Sequence, residues 1–174
     1  MGDRQLTQAD GSYLAQLRDE LNQRGFLVGS IDYRLAPLYS NKYQIEDAKC
    51  AVRFLRAHAT ELGIDPQRIG VYGTSQGGYL AAMLGTTGTD AGFDTGQYLD
   101  QSSRVQAVVD MDGPANFTNL SGSPSWVYPL GQILIGDMSI ATKRAYSPVT
   151  YVAPSDPPFL IMHGTDDLIM APHQ

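Results

Sequence analysis

Apolar residues near the start of the chain recur at the spacing of a helix. The stretch Ser12–Arg24 carries leucines three and four residues apart, at Leu14, Leu17 and Leu21. This spacing places them on one face of a helix, and Gly25 is a suitable C-terminal cap. The following run, Phe26–Ile31, is mostly apolar and contains Val and Ile, so it predicts a buried strand that leads into a turn at Asp32–Pro37.

A second helical pattern is longer and more regular. Its apolar positions step by three and four residues through Ile45, Ala48, Val52, Leu55, Ala59 and Leu62. Glu46 and Asp47 are expected in the first turn, where the helix dipole favours negative charge. Gly63 and Pro66 are expected to end the helix.

The rest of the chain alternates short apolar runs with helical and loop segments. The apolar runs predict strands at Arg68–Tyr72, Val105–Met111 and Pro158–Met162. The segments between and after them predict a Gly-rich turn at Gly73–Gly78, a helix at Tyr79–Leu84, an ordered loop with a short helix at Gly85–Arg104, an irregular stretch at Asp112–Tyr146 and a loop at His163–Asp167. This alternation indicates an α/β fold with a mostly parallel sheet flanked by helices. At 174 residues, the chain is expected to form one domain.

Charge and composition exclude several classes of function. The net charge of -6 provides no excess of cations to neutralise phosphates, so a nucleic-acid partner is not expected. Cys50 is the only cysteine, which excludes an internal disulfide and a cysteine-based metal site. No apolar run approaches the roughly 18 residues that span a bilayer. Met1–Asp10 has no apolar segment typical of a secretion signal, so the compartment stays open with a slight preference for the cytoplasm.

Ser75 is the first candidate for chemistry. It lies at the centre of Gly73-Thr74-Ser75-Gln76-Gly77, between a predicted strand and a predicted helix. A nucleophile elbow, the strained turn that presents the serine of many hydrolases, requires this context. The Gln76 backbone N–H at the head of the helix would then stabilise an oxyanion. The alternative is an ordinary Gly-rich turn in which Ser75 only caps the helix.

Four stretches of the chain resemble the α/β-hydrolase superfamily, and they occur in the order typical of that family. They are Asp32-Tyr33-Arg34-Leu35-Ala36-Pro37, Asp65-Pro66-Gln67-Arg68-Ile69-Gly70, the elbow Gly73–Gly78, and the segment from Pro157 to Asp167. The resemblance is greatest to the acetyl-esterase and feruloyl-esterase branch near hormone-sensitive lipase. It implies a three-layer α/β-hydrolase domain that needs no cofactor or metal and acts on a small-molecule ester.

The resemblance assigns roles to individual residues. Ser75 matches the nucleophile, Gln76 the second oxyanion donor and Asp167 the acid of the catalytic triad, with Asp166 a weaker candidate. From the residues alone, a solvated turn is the favoured reading of the two aspartates, because Asp is common in turns. Trp126 and Tyr128 lie in the segment 112–146, which matches the substrate-facing insert of the family, and they are candidates for lining an acyl or aryl pocket. Ordinary packing within the insert would explain them equally well.

None of the three histidines matches the general base of the family. His58 falls inside the second predicted helix and is expected to be partly exposed, whereas His163 belongs to the turn that shapes the acid loop. His173 lies six residues beyond Asp167, and the catalytic histidine of the family lies about thirty residues beyond it. The oxyanion loop that precedes the first long helix in the family also has no match, except for Gly2. We therefore expect an incomplete hydrolase domain that lacks a central strand of the family's sheet.

The sequence leaves three functional hypotheses. The leading one is a serine carboxylic ester hydrolase, acting on small or aryl esters through an acyl-enzyme on Ser75. A second is a peptidase of the prolyl-oligopeptidase type, because Gly77-Gly78-Tyr79 also follows the serine there, although no propeller domain is present. The third is a non-catalytic protein on a hydrolase scaffold, which the missing histidine favours.

Overall fold

A computed structural model describes residues 13–121 and 123–170. The chain divides into two compact units, Met1–Tyr33 and Arg34–Gln174. In the first unit, helix α1 spans Tyr13–Gln23 as the leucine spacing predicts. Gly25 follows in the left-handed region with φ of 84°, and its N–H donates to the carbonyl of Asn22. The prediction that Gly25 ends this helix is confirmed.

The predicted strand at Phe26–Ile31 is wrong, because this segment has no regular structure. Phe26 and Leu27 expose more than half of their surface and Ile31 exposes 42%. A strand needs a neighbour to pair its backbone N–H and C=O groups, and the sheet formed by the described residues contains no strand that pairs with this segment. Apolar composition alone was therefore insufficient to form a strand.

The second unit consists of one parallel sheet with its helices and connecting loops. In chain order it contains α2 (Asn41–Ala57), α3 (Ala59–Leu62), β1 (Gly70–Thr74), α4 (Gln76–Thr86), a 3-10 turn (Thr89–Ala91), β2 (Ala107–Met111), α5 (Val127–Ile135), α6 (Ile140–Ala145), a second 3-10 turn (Pro148–Thr150) and β3 (Phe159–Met162). The strands are parallel in the order β1-β2-β3, with Thr74 beside Met111 and Met111 beside Met162. The expected α/β class is confirmed. None of the helices in the described part of the chain is long and apolar enough to cross a membrane.

The helical pattern around Ile45 forms a helix that starts earlier than predicted. Because α2 begins at Asn41, Glu46 and Asp47 lie in its second turn rather than its first. The predicted single helix is interrupted at His58, and the short α3 continues it to Gly63, which adopts φ of 65°. His58 is half-buried, as expected, and its ring lies against Phe54 with centroids 4.2 Å apart.

Helix α4 lies at the centre of the core. It packs against β1, β2 and α2, and every residue from Gly78 to Thr86 is buried. The adjoining core cluster consists of Ala48, Val52, Ile69, Ala81, Leu84, Val105 and Val108. The helix that follows the elbow is thus held on several sides, which gives its first residues a fixed position.

The expectation of an irregular segment at Asp112–Tyr146 is wrong, because this segment contains α5 and α6. Val127, Gly131 and Ile135 are buried at a spacing of four residues along α5. Pro129 is tolerated because it lies in the first turn, where its missing N–H breaks no intrahelical bond. The Gly and Pro content of the segment concealed this pattern in the sequence.

A buried ion-pair network orders the loop between α4 and β2. Lys49 and Arg53 on α2 are essentially inaccessible, and both contact the carboxylate of Asp94 at 3.0 and 2.6 Å. Lys49 also donates to the carbonyl of Thr87 and to the hydroxyl of Ser103. Burial raises the pKa of Asp94, but hydrogen bonds from Ser103 and Lys49 to its carboxylate and the charges of Lys49 and Arg53 outweigh this effect and leave the pKa below its ordinary value.

Candidate active site

Ser75 occupies a strained turn at the carboxyl end of β1. The strand ends at Thr74 and α4 begins at Gln76, so Ser75 is the single residue between them. Its backbone has φ of 54° and ψ of -118°, a combination that residues other than glycine rarely adopt. The predicted tight strand-to-helix turn is confirmed.

Two glycines of the elbow are required by close approach of other atoms. A Cβ on Gly73 would overlap the carbonyl of Gly77, and a Cβ on Gly78 would overlap the Asp110 carboxylate. Gly77 meets no such neighbour. Gly73 therefore permits the tight turn, and Gly78 permits the head of α4 to approach β2.

The hydroxyl of Ser75 makes no capping hydrogen bond, which contradicts the alternative of a serine that only caps the helix. Ser75 is the residue before α4, but its side chain accepts no hydrogen bond from the helix. Its backbone N–H donates to the carbonyl of Met111 at 2.8 Å. Gln76 is the first residue of α4, so its N–H has no acceptor within the helix and is available to an oxyanion.

A small apolar cavity of about 80 Å³ opens beside Ser75. Besides Ser75 and Gln76, it is lined by Pro114, Phe117, Val127, Leu130, Gly131, Leu134 and Met170. Helix α5 contributes four of these residues, so part of the segment 112–146 lines the cavity beside Ser75. Trp126 and Tyr128 are outside this lining and expose 47% and 49% of their surface, so the cavity does not support their expected role in substrate binding.

The acid loop, residues 163–170, follows β3 at the same edge of the sheet as Ser75. Asp167 is half-buried, whereas Asp166 is exposed. One carboxylate oxygen of Asp167 accepts the N–H groups of Ile169 and Met170 at 2.7 and 3.0 Å. These backbone hydrogen bonds lower the pKa of Asp167, so it is held as an oriented anion. Because Met170 also lines the cavity beside Ser75, the loop that orients Asp167 forms part of the same site.

His163 fastens this loop. Its Nε2 lies 2.8 Å from the carbonyl oxygen of Met170 and 3.3 Å from Oδ2 of Asp167. A carbonyl oxygen only accepts hydrogen bonds, so Nε2 must carry the proton and donate it. His163 is thereby engaged in shaping the loop and its Nε2 cannot accept a proton from Ser75. Of the other two histidines, His58 is the residue between α2 and α3, and His173 lies outside the described residues. Gly2 also lies outside the described residues.

Asp112, His163 and Asp167 form the group in the described part of the chain that could hold a metal ion. One ligand atom from each lies within 4.8 Å of the others. However, Nε2 of His163 is engaged with the carbonyl oxygen of Met170, and Oδ1 of Asp112 accepts the N–H of Gly164 at 3.2 Å. The arrangement fits a hydrogen-bonded junction between the ends of β2 and β3 better than a metal centre.

Asp110 is a buried residue of this site that the sequence analysis missed. It lies on β2, is 4% exposed, and accepts the N–H of Gly113 at 3.1 Å. Burial raises its pKa, and this effect exceeds the opposing hydrogen bond from Gly113 and the charge of His163. The sequence does carry a signal for this residue, namely an aspartate within an otherwise apolar strand. Acidic side chains are rarely buried without a partner, so such a position stands out.

Comparison with known proteins identifies the family. The profile of the BD-FAE family matches residues 4–174. The chain is 31% identical to the probable carboxylic ester hydrolase LipM of Mycobacterium tuberculosis over 163 residues, which cover 91% of this chain and 38% of LipM. It is 30% identical to a probable isoprenylcysteine alpha-carbonyl methylesterase of Arabidopsis thaliana, covering 90% of this chain and 34% of that protein. The chain thus spans less than half the length of these curated relatives.

Solved structures of esterases share the fold. A truncated form of a carbohydrate esterase from gut microbiota aligns with a TM-score of 0.71 and 32% identity, over 83% of this chain and 57% of that one. Esterase 2 of Thermogutta terrifontis, phosphoramylated by tabun, aligns with a TM-score of 0.72 and 26% identity, over 90% of this chain and 55% of that one. Both similarities agree with the α/β-hydrolase fold and with the resemblance found in the sequence.

Proposed function

Because the chain belongs to the BD-FAE family, whose esterase relatives share the α/β-hydrolase fold, we propose that it is part of a serine carboxylic ester hydrolase with Ser75 as nucleophile. The observation that carries the proposal is the conformation of Ser75. Its hydroxyl caps nothing, its backbone is strained, and it borders an apolar cavity. Strain of this kind persists where the position of a side chain matters for chemistry.

The proposed mechanism is acyl transfer in two steps. Oγ of Ser75 attacks the ester carbonyl carbon, and the N–H of Gln76 at the positive end of α4 stabilises the charge that develops on the carbonyl oxygen. The proton of Ser75 passes to a general base and then to the alcohol, which leaves. Water hydrolyses the acyl-enzyme by the same route in reverse.

In this proposal, Asp167 orients the general base. One of its oxygens is held by two backbone N–H groups, which keeps the carboxylate ionised and pointing in a fixed direction. The second oxygen faces His163 at 3.3 Å, a longer contact that leaves it able to accept from an imidazole. We assign the base itself to none of the described histidines, because His163 already uses its facing nitrogen as a donor.

The cavity indicates the substrate. Its lining beyond Gln76 is almost entirely apolar and its volume is small, so we propose that it receives the acyl group of a short-chain ester. The relatives include a methylesterase and a carbohydrate esterase, names that agree with an ester substrate.

The test is chemical modification of Ser75 together with ester turnover. We expect an aryl phosphonate that releases p-nitrophenol to label Ser75, detected by peptide mass spectrometry, and we expect Ser75→Ala to abolish both the label and any turnover of p-nitrophenyl acetate. Because no described histidine is assigned as the base, we expect slow turnover, since loss of the base from a catalytic triad costs on the order of 10⁶ in a well-studied protease. Modification elsewhere at an equal rate, or turnover that survives Ser75→Ala, would contradict the assignment.

A non-catalytic role is the second candidate, and one observation favours it. Within residues 13–121 and 123–170, no histidine contacts Asp167 other than His163, which is occupied. A protein of this type would leave Ser75 unlabelled by the phosphonate even when imidazole is added to supply a base. Labelling that imidazole accelerates would instead support the esterase proposal.

A further inference from the structure

The side chain of Gln76 is tied to the first turn of α2. Its Nε2 donates to Oδ1 of Asn41 at 2.9 Å and to Oε1 of Gln44 at 2.7 Å. Asn41 and Gln44 are 0% and 2% exposed. The two hydrogens of one amide are thus both used, and both acceptors come from the same turn of a neighbouring helix.

These buried amides carry a cost that packing alone does not explain. Asn41 Nδ2 and the hydroxyl of Tyr79 are both buried, and apart from their contact with each other neither has a hydrogen-bond partner among the described residues. Burial raises the pKa of Tyr79 well above its ordinary value, and the hydrogen bond with Asn41 opposes this effect. Buried polar groups with so few partners are costly, and apolar side chains would join two helices without that cost.

We propose that Asn41 and Gln44 are positioning residues for the oxyanion site. They hold the side chain of Gln76, and Gln76 supplies the backbone N–H that faces the developing oxyanion. The inference rests on the proposed function for its catalytic consequence. The geometry of the restraint is independent of that function, because it depends only on hydrogen bonds that the structure contains.

Two restraints act on the elbow, one on the backbone of Ser75 and one on the side chain of Gln76. On one side, the N–H of Ser75 is held by Met111, which fixes the elbow to β2. On the other, Asn41 and Gln44 accept hydrogen bonds from the Gln76 side chain and hold it against α2. Loss of an entire oxyanion donor costs about 10²–10³ in rate. A donor that is displaced but still present should cost less, so we expect a loss of about tenfold.

A double-mutant cycle tests this inference on the 174-residue chain. We compare the rate at which an aryl phosphonate modifies Ser75 in the parent, Gln44→Met, Gln76→Leu and the double variant, with Asn41→Leu as a second removal of an acceptor. If Gln44 acts through Gln76, Gln44→Met slows modification about tenfold but adds little in the Gln76→Leu background. Additive effects of the two substitutions would overturn the inference.

Gln106→Met is the matched control. Oε1 of Gln106, an exposed side chain, accepts the N–H of Ile69 at 2.9 Å at the opposite end of the sheet, so this variant loses one side-chain hydrogen bond far from the elbow. We expect its modification rate to equal that of the parent, even where its melting temperature falls as much as that of Gln44→Met. An equal loss of rate in Gln106→Met would mean that general destabilisation, not positioning, explains the result.

Amide hydrogen exchange separates the positioning from the chemistry. Measured on the peptide that covers residues 76–80, exchange should be about tenfold faster in Gln44→Met and in Asn41→Leu than in the parent and in Gln106→Met. Unchanged exchange would overturn the inference whether or not Ser75 reacts. If the parent does not react with the phosphonate but exchange rises as expected, the proposed esterase function fails for this chain while the restraint on Gln76 stands.

Discussion

Replacing Ser75 with glycine should stabilise the protein while it removes the proposed nucleophile. The backbone at Ser75 has φ of 54° and ψ of -118°, and its side chain makes no capping bond that would be lost. A non-glycine residue in such a conformation costs about 1–3 kcal/mol. Glycine escapes this strain, but its greater freedom in the unfolded chain costs roughly 0.5–1 kcal/mol.

The difference between these two effects is a net gain of about 1 kcal/mol for Ser75→Gly. For a chain of this size, that gain should raise the melting temperature by about 2–4 °C. Ser75→Ala is the matched control, because alanine removes the same hydroxyl but keeps the Cβ and therefore the strain. Differential scanning calorimetry or urea unfolding of the three proteins measures the effect. If Ser75→Gly is no more stable than Ser75→Ala, the backbone at Ser75 is not strained and the main argument for a nucleophile elbow is lost.

Two further predictions concern buried charges. Because burial raises the pKa of Asp110, ionisation of this residue lowers the stability of the folded protein as the pH rises through that raised pKa. Asp110→Asn should therefore be more stable than the parent at neutral pH. In urea titrations this advantage should disappear as the pH falls below 3.8, the ordinary pKa of the carboxyl group. Asp94→Asn should lower the free energy of unfolding by about 3–5 kcal/mol, since it leaves Lys49 and Arg53 buried without an anion. The exposed Asp90→Asn in the same loop is its control, and an equal loss there would contradict the role given to the ion-pair network.

The segment 112–146 shows that tertiary contacts can form a helix where the local sequence pattern is weak. Pro129 and Gly131 argue against a helix by propensity, yet α5 forms because its Val127, Gly131 and Ile135 face is buried. The Ser139 hydroxyl accepts the N–H of Thr142 at 3.2 Å and caps α6. This capping pair is visible in the sequence and was the signal that could have revealed α6.

The sequence by itself determined the order of the strands and helices around Ser75. Three local patterns predict these elements: the spacing from Ile45 to Leu62, the glycines around Ser75, and the apolar runs before Ser75 and His163. Local backbone preferences are sufficient to form the corresponding helices, strands and turn. For the same reason, the sequence alone is sufficient to predict the tight turn at Ser75 and the α/β class.

Only the tertiary structure decided what depends on neighbours distant in the chain. The run Phe26–Ile31 lacks a pairing strand in the described sheet and remains irregular, although its composition favours a strand. Asn41 and Gln44 hydrogen-bond to Gln76, and Asp110 is buried beneath Gly78. Each of these contacts joins residues about 30 positions apart in the chain, so no local sequence pattern predicts it. Side-chain hydrogen bonds and burial arise from packing between elements, and packing exists only once the chain has folded.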